Sequence, residues 1–330
     1  MDSSKQNHEQ AMNPIFTRLL KQAIACVRAG RWRDAALALR IALLHKVAQP
    51  APTFISASHS DAAGERVYKL FVPSHCEGER LPLLVMLHGC SQDPEDFALG
   101  TRMNEIAQRL GVVVLYPAQT AQANAFRCWN WFKHNHQQRD RGEPAILAGM
   151  TAAVMQSQVV DPRRVYVAGL SAGGAMAAIL GNAYPELFAA VGVHSGLAAG
   201  AATDMLSALA VMKGHAAAAM PESPQPPTIV FHGDQDSTVH PINGEHAAAA
   251  AARYATSEPQ RDQGEQGRPY TRLRFRDRAG RVVVEHWLVH GAGHAWSGGG
   301  ATGSFADARG PNASAEMLRF FAMHSQPEPG

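Results

Sequence analysis

Apolar positions recur at helical spacing through residues 12–46, and a different rhythm follows. Ile15, Leu19, Leu20, Ile24 and Val27 form one stripe, with Gly30 as its C-terminal stop. A second helix is predicted from about Trp32 to Leu44, carrying Leu37, Leu39, Ile41 and Leu44. Together they make an αα-hairpin, either a brace or lid on the main domain or an element that docks onto an apolar surface or a partner. Residues 1–11 are polar and read as disordered, and 48–60 read as a linker. The chain therefore divides into a helical hairpin with its linker at 1–50 and a larger domain at 51–330.

From about residue 64, short apolar runs alternate with helical stretches. Strands are predicted at 66–73, at the near-continuous apolar run 81–87, and at 111–117, 165–167, 189–195, 228–233, 272–275 and 282–288. Helices are predicted at 96–110, 145–159, 175–180, 241–254 and 314–324. Residues 119–143 are irregular, and 197–227 are rich in Ala and Pro with no clear periodicity. Such alternation predicts an α/β protein with a mostly parallel sheet and helices on both faces.

Composition narrows the function. The 330 residues are 46% hydrophobic and 18% charged, with a net charge of +2 and scattered basic residues, which gives no footprint for nucleic acid. Sixteen histidines are present without HExxH or CxxC spacing, so no metal and no cofactor is expected. The polar N-terminus lacks the apolar core of a signal peptide, and no run approaches the roughly 18 apolar residues of a membrane span. A cytoplasmic protein is the expectation, with export by another route as the alternative.

The chemistry centres on Gly169-Leu-Ser-Ala-Gly, between the strand 165–167 and a small-residue helix. A serine flanked by glycines at a strand-to-helix turn is a nucleophile elbow, which makes Ser171 the candidate nucleophile. A serine hydroxyl needs a base, and the base needs an orienting acid, in the chain order Ser, Asp or Glu, His. The loop after strand 228–233 offers Asp234 and Asp236. Asp236 lies deeper, where it can turn toward a histidine, and Asp234 is better placed to hold the loop. After strand 282–288, His294 sits between flexible glycine-bearing segments and is the expected base, while His290 is nearer the strand end and reads as structural. His232 and His240 come too early in the order. The oxyanion needs two preorganised N–H donors, expected from Ala172, next to the nucleophile, and from Cys90, after the strand 81–87.

Several stretches now fall together: Leu87-His-Gly-Cys-Ser-Gln, Phe97-Ala-Leu-Gly-Thr-Arg-Met-Asn, Leu115-Tyr-Pro-Ala-Gln, Cys128-Trp-Asn-Trp-Phe, the elbow with its following Gly-Ala-Met, and Gly291-Ala-Gly-His-Ala-Trp-Ser-Gly-Gly. In this order they resemble the poly(3-hydroxybutyrate) depolymerase family of esterases, over roughly residues 64–325. The resemblance implies the α/β-hydrolase fold and a triad on Ser171, Asp236 and His294, with Cys90 supplying an oxyanion N–H. It implies a polyester or small ester as substrate, with a polymer granule surface as a further partner. Feruloyl and acetyl-xylan esterases stand close by as an alternative. A non-catalytic granule-binding protein is the rival from another class. Secreted members of the family carry a signal peptide and a separate polymer-binding domain, in place of which this sequence shows the helical hairpin. Trp129, Trp131, Trp296 and His88 are expected to line the substrate cleft. Cys90 and Cys128 both lie in the family-like stretches, but four cysteines allow three full pairings and the sequence does not choose among them.

Overall fold

The computed structural model describes residues 14–29, 31–47, 51–74, 80–215, 224–253, 255–256 and 260–328. The expectations for residues 1–11, Gly30, Tyr254, and the segments 48–50 and 216–223 lie outside these residues. The chain forms two compact units, residues 1–51 and 52–330.

The first unit contains two helices, α1 (Pro14–Arg28) and α2 (Trp32–Val47). Small side chains are buried here: Ala23 and Cys26 on α1, Ala35 and Ala38 on α2. Ile24 and Val27, expected in the apolar seam, are exposed, as are Trp32, Leu37 and Leu39. Small residues allow close helix approach, and the described seam runs along them and leaves Ile24 and Val27 outside it.

The second unit is built on one ten-stranded sheet. Its strands are β1 (Thr53–Asp61), β2 (Gly64–Val72), β3 (Leu81–Leu87), β4 (Val113–Pro117), β5 (Val160–Leu170), β6 (Ala190–His194), β7 (Thr228–Gly233), β8 (Gln260–Gln266), β9 (Arg268–Arg276) and β10 (Val282–Val289). Their order across the sheet is β1-β2-β4-β3-β5-β6-β7-β10-β9-β8. The central run from β4 to β10 is parallel throughout, and antiparallel hairpins close both edges. Parallel strands buried on both faces read as unbroken apolar runs, which is why β3 and β4 were legible. Along β3 the side chains divide by parity. Leu83, Val85 and Leu87 join one core cluster, and Leu84 and Met86 the other. The first cluster is covered by α5 (Gly142–Ser157), α6 (Ala172–Ala183) and α8 (Ile242–Ala252). The opposite face is covered by α3 (Pro94–Thr101), α4 (Met103–Leu110) and α9 (Ala313–Phe321). Helix α7 (Met205–Met212) follows β6, and a two-residue parallel pair, β11 (Trp296–Ser297) with β12 (Ala306–Asp307), lies beyond β10. This is the α/β-hydrolase fold.

Three expectations are corrected. The linker expected to run to residue 60 gives way to β1 from Thr53, an edge strand mostly exposed and too polar to show an apolar run. The helix expected over 96–110 is two helices, broken at Arg102, whose φ of 53° is left-handed. It starts earlier, at Pro94, because Asp93 caps it by accepting the Asp96 N–H at 2.9 Å. The late strands include β8, whose sequence QRDQGEQ carries no apolar pattern.

Candidate active site

Ser171 occupies the turn between β5 and α6 with φ 57° and ψ −119°, a conformation costly for any residue with a side chain. Two features hold it there. The Ser171 N–H donates to His194 O at 2.9 Å, and Ser171 O accepts from Ala175 N at 3.0 Å. The flanking glycines let the turn press against β3: a Cβ on Gly169 would fall 2.7 Å from Leu87 O, and one on Gly173 would fall 2.6 Å from His88 O.

Two Asp–His pairs join the loop after β7 to the loop after β10. In the outer pair His290 Nδ1 donates to Asp234 Oδ2 at 2.9 Å, and Gly291 N donates to Asp234 Oδ1 at 2.7 Å. His290 Nε2 lies 2.9 Å from Thr271 Oγ1, so both ring nitrogens are engaged and the residue has none left for proton transfer. In the inner pair His294 Nδ1 donates to Asp236 Oδ2 at 2.7 Å. His294 Nε2 makes no hydrogen bond among the described residues, which leaves it open to a substrate or nucleophile. Asp236 Oδ1 accepts the N–H groups of Thr238 and Val239, each at 2.9 Å. Burial works to raise the Asp236 pKa, but the hydrogen bonds from His232 and His294 outweigh it and hold the carboxyl well below the usual range. His232 is buried, donates from Nε2 to Val239 O at 2.9 Å, and lies 3.4 Å from Asp236 Oδ2.

His194, read from the sequence only as part of a strand, links these pieces. Its Nε2 accepts from Ser297 N at 2.9 Å, which fixes Nδ1 as the donor to Ser195 Oγ at 3.1 Å. Its ring stacks on Trp296 and Phe231, at 4.9 and 5.7 Å between centroids. Burial pushes its pKa down to about 3, so it stays neutral. Because its carbonyl holds the Ser171 amide and its ring holds the segment just after His294, one buried residue ties the elbow to the base loop. The acid loop joins the same assembly through Gln235 N, which donates to Ala292 O at 3.0 Å.

The turn after β3 supplies the other side. Gly89 N donates to Gln92 Oε1 at 2.9 Å, and Ser91 N to Phe126 O at 2.7 Å. The Cys90 N–H has no partner among the described residues. The Ala172 N–H is the first of α6, where helix amides point outward without intrahelical partners. Cys90 is joined to Cys128 by a disulfide, which resolves the pairing and fastens the oxyanion turn to the aromatic loop.

The expected cleft-lining set is not met. Trp129, Trp131, Trp296 and His88 are buried, none more than 5% exposed. Trp129 Nε1 donates to His88 O at 3.1 Å, and Trp296 Nε1 donates to Ser314 Oγ at 3.0 Å. His88 donates from Nδ1 to Gly89 O at 2.7 Å and accepts from Gln119 N at 3.1 Å, and burial lowers its pKa to about 4. Trp129, Trp296 and His88 brace the turns that carry the functional atoms, while Trp131 packs edge-on against Phe132 in the core. Two aromatics close to these turns are exposed: Phe126 at 76%, beside the oxyanion turn, and Phe305 at 46%, edge-on to His294 with ring centroids 6.3 Å apart. Neither lies in a periodic stretch, and no sequence signal marked them. Among the described residues no group of side chains is arranged to hold a metal ion, and no helix is long and apolar enough to cross a membrane.

Chemically, the arrangement sets a buried serine in a strained turn and ties that turn, through His194, to the loop of an imidazole whose tautomer is fixed by a carboxylate, with free amides at Cys90 and Ala172. Comparison with known proteins finds esterases and depolymerases. The chain is 28% identical over 226 residues to poly(3-hydroxyalkanoate) depolymerase C of Paucimonas lemoignei, a match covering 64% of this chain and 54% of that protein. It is 32% identical over 247 residues to a poly(3-hydroxybutyrate) depolymerase of Ralstonia pickettii, covering 69% and 50%. The chain thus spans about half the length of these relatives. In structure it is similar to an acetyl xylan esterase from Aspergillus awamori, with a TM-score of 0.64 at 18% identity over 82% of this chain and 99% of that one, a likeness of fold. Residues 66–257 match the family described as Esterase PHB depolymerase, a segment that holds Cys90, Ser171 and Asp236 and stops short of His294. Matched to that description over more than half its length, the chain belongs to the Esterase PHB depolymerase family.

Proposed function

We propose that this protein is a serine carboxylesterase that hydrolyses the ester bonds of poly(3-hydroxybutyrate) or its oligomers. The observation that carries the reading is the Asp236–His294 hydrogen bond, which leaves His294 Nε2 open beside the loop that is tied to the elbow. Ser171 Oγ attacks the ester carbonyl carbon, and His294 Nε2 takes the hydroxyl proton. The carbonyl oxygen becomes an oxyanion held by the Cys90 and Ala172 N–H groups, each donor of this kind contributing about 10²–10³ in rate. The tetrahedral adduct collapses, the C–O bond to the alcohol breaks, and His294 returns the proton to the departing oxygen. Water then repeats the sequence on the acyl-serine, releasing the acid and restoring Ser171. Throughout, Asp236 keeps the His294 proton on Nδ1 and offsets the positive charge that forms on the ring.

The depolymerase relatives support polyester as the substrate, and the exposed Phe126 and Phe305 give the site apolar surface that suits an aliphatic chain. The Cys90–Cys128 disulfide favours work in an oxidising compartment over the cytoplasm.

A fluorophosphonate probe tests the chemistry: wild type takes the label and Ser171→Ala does not. Equal labelling of the two, or none of wild type, ends the hydrolase reading. Substrate class is tested by assaying 3-hydroxybutyrate trimer, amorphous polymer and methyl ferulate side by side. Faster turnover of the ferulate would replace polyester with an aryl ester as the natural class.

A further inference from the structure

Phe305 is placed in a way that core packing does not explain. It is a large apolar residue left nearly half exposed, and its φ of 49° lies in the left-handed region that bulky residues avoid. Such a backbone persists only where its surroundings over-determine it. Here they do so from two directions. Phe305 O accepts from Trp296 N at 2.7 Å, in the segment that carries His294. The preceding residue is held from the oxyanion side: Ser304 N donates to Asp96 Oδ1 at 2.8 Å, and Ser304 Oγ donates to Asp96 Oδ2. Gln92 Nε2 donates to Ser304 O at 3.2 Å, while Gln92 Oε1 accepts the Gly89 N–H next to Cys90. The Phe305 backbone is thus pinned between the base loop and the oxyanion turn, and its ring stands edge-on to the His294 ring, interplanar angle 80°.

We propose that Phe305 is a specificity-determining residue that walls the alcohol side of the ester site and favours an extended apolar leaving alcohol over a small one. The inference rests on the serine-esterase reading above. In that chemistry His294 delivers a proton to the departing oxygen, so the alcohol portion of the ester lies against the imidazole while the carbonyl oxygen points to Cys90 and Ala172. The ring packed against His294 is therefore on the leaving-group side. Its strained, doubly anchored backbone keeps it from swinging away when that side is empty.

The test uses two esters with one acyl group, methyl butyrate and hexyl butyrate, so that both pass through the same acyl-enzyme. Wild type has the higher kcat/KM for the hexyl ester. In Phe305→Ala the hexyl-to-methyl ratio of kcat/KM falls about tenfold, the discrimination that a methylene or two in an apolar subsite provides. Phe305→Gly, which accepts the positive φ freely, gives the same fall and guards against a folding defect from the first variant. Phe305→Tyr retains the wild-type ratio. An equal loss on both esters would mean that Phe305 only props His294, and that result overturns the inference, as does a wild type with no preference for hexyl. Failure of the underlying reading looks different: wild type then hydrolyses neither butyrate and takes no fluorophosphonate label, and both proposals fall together.

Discussion

The two Asp–His pairs between the same loops offer a sharp test, because sequence alone leaves either acid available. Asp236→Asn keeps the oxygen that accepts from Thr238 and Val239 but puts an NH2 group where Oδ2 accepts from His294 and lies near the His232 N–H. The new donor then faces an imidazole donor. His294 relieves the clash by moving its proton to Nε2, the atom that must receive the serine proton. The corresponding change in a serine protease triad lowers kcat about 10⁴-fold, which at about 1.36 kcal/mol per decade is roughly 5.4 kcal/mol of transition-state stabilisation. Asp234→Asn breaks a partly exposed pair whose histidine already has both nitrogens occupied. Its amide oxygen can still accept from Gly291, and the expected loss is less than about tenfold, as for a loop held slightly less firmly. The assay is kcat and kcat/KM on soluble p-nitrophenyl butyrate, with thermal melts to confirm folding. A Asp236→Asn enzyme retaining a tenth of wild-type kcat, or an Asp234→Asn enzyme falling as far as it, would refute the assignment.

Acid should destabilise the fold through histidines buried without charge. Burial lowers the pKa of His88 and His286 to about 4 and of His194 to about 3, against 6.5 in the unfolded chain. The unfolded state therefore binds protons that the folded state refuses as pH drops below 6.5, and their stabilisation, complete above that value, is lost toward pH 4. With three groups the slope is on the order of 4 kcal/mol per pH unit where all titrate. An unfolding free energy from urea titrations that stays flat between neutrality and pH 5 would contradict this. Gly173→Ala drives a Cβ onto the backbone of β3, with an expected cost of about 1–3 kcal/mol and a displaced serine. Its melting temperature and turnover should fall together, and wild-type values for both would refute the steric account. Cys128→Ser opens a disulfide spanning 38 positions, worth about 4 kcal/mol by loop-closure entropy. Urea midpoints of the variant and of wild type, under non-reducing conditions, check that figure.

The parts of the site visible in the sequence were those whose chemistry restricts the residue types allowed. Gly169 and Gly173 announce the elbow because no other residue fits against β3, and Asp236 and His294 follow from chain order at strand ends. Direction is what a sequence does not carry. Trp129, Trp131 and Trp296 advertise apolar area near the site, but the same area serves a core, and here they point inward. Phe305 lies in a glycine-rich run without periodicity, so nothing distinguishes it from a loop residue until its backbone is seen pinned. His194 ends an apolar strand, where its position suggests packing. Its role depends on contacts with Ser171 and Ser297, 23 positions back and 103 ahead. The fold was legible where strands are buried on both faces, and illegible at β1 and β8, where polar edges leave no pattern.

The disulfide at Cys90 gives the site boundaries of two mechanical kinds. The oxyanion turn is joined to the loop bearing Phe126 by a covalent bond that thermal motion does not open. The Ser304–Phe305 segment is held by hydrogen bonds alone, to Asp96, Gln92 and Trp296. A substrate too wide for the resting cleft therefore has one yielding edge. On the proposed reading a bulkier alcohol would be met by loosening the segment that carries Phe305, and because Gln92 joins Ser304 O to the Gly89 N–H, that loosening would also reach the turn that holds Cys90.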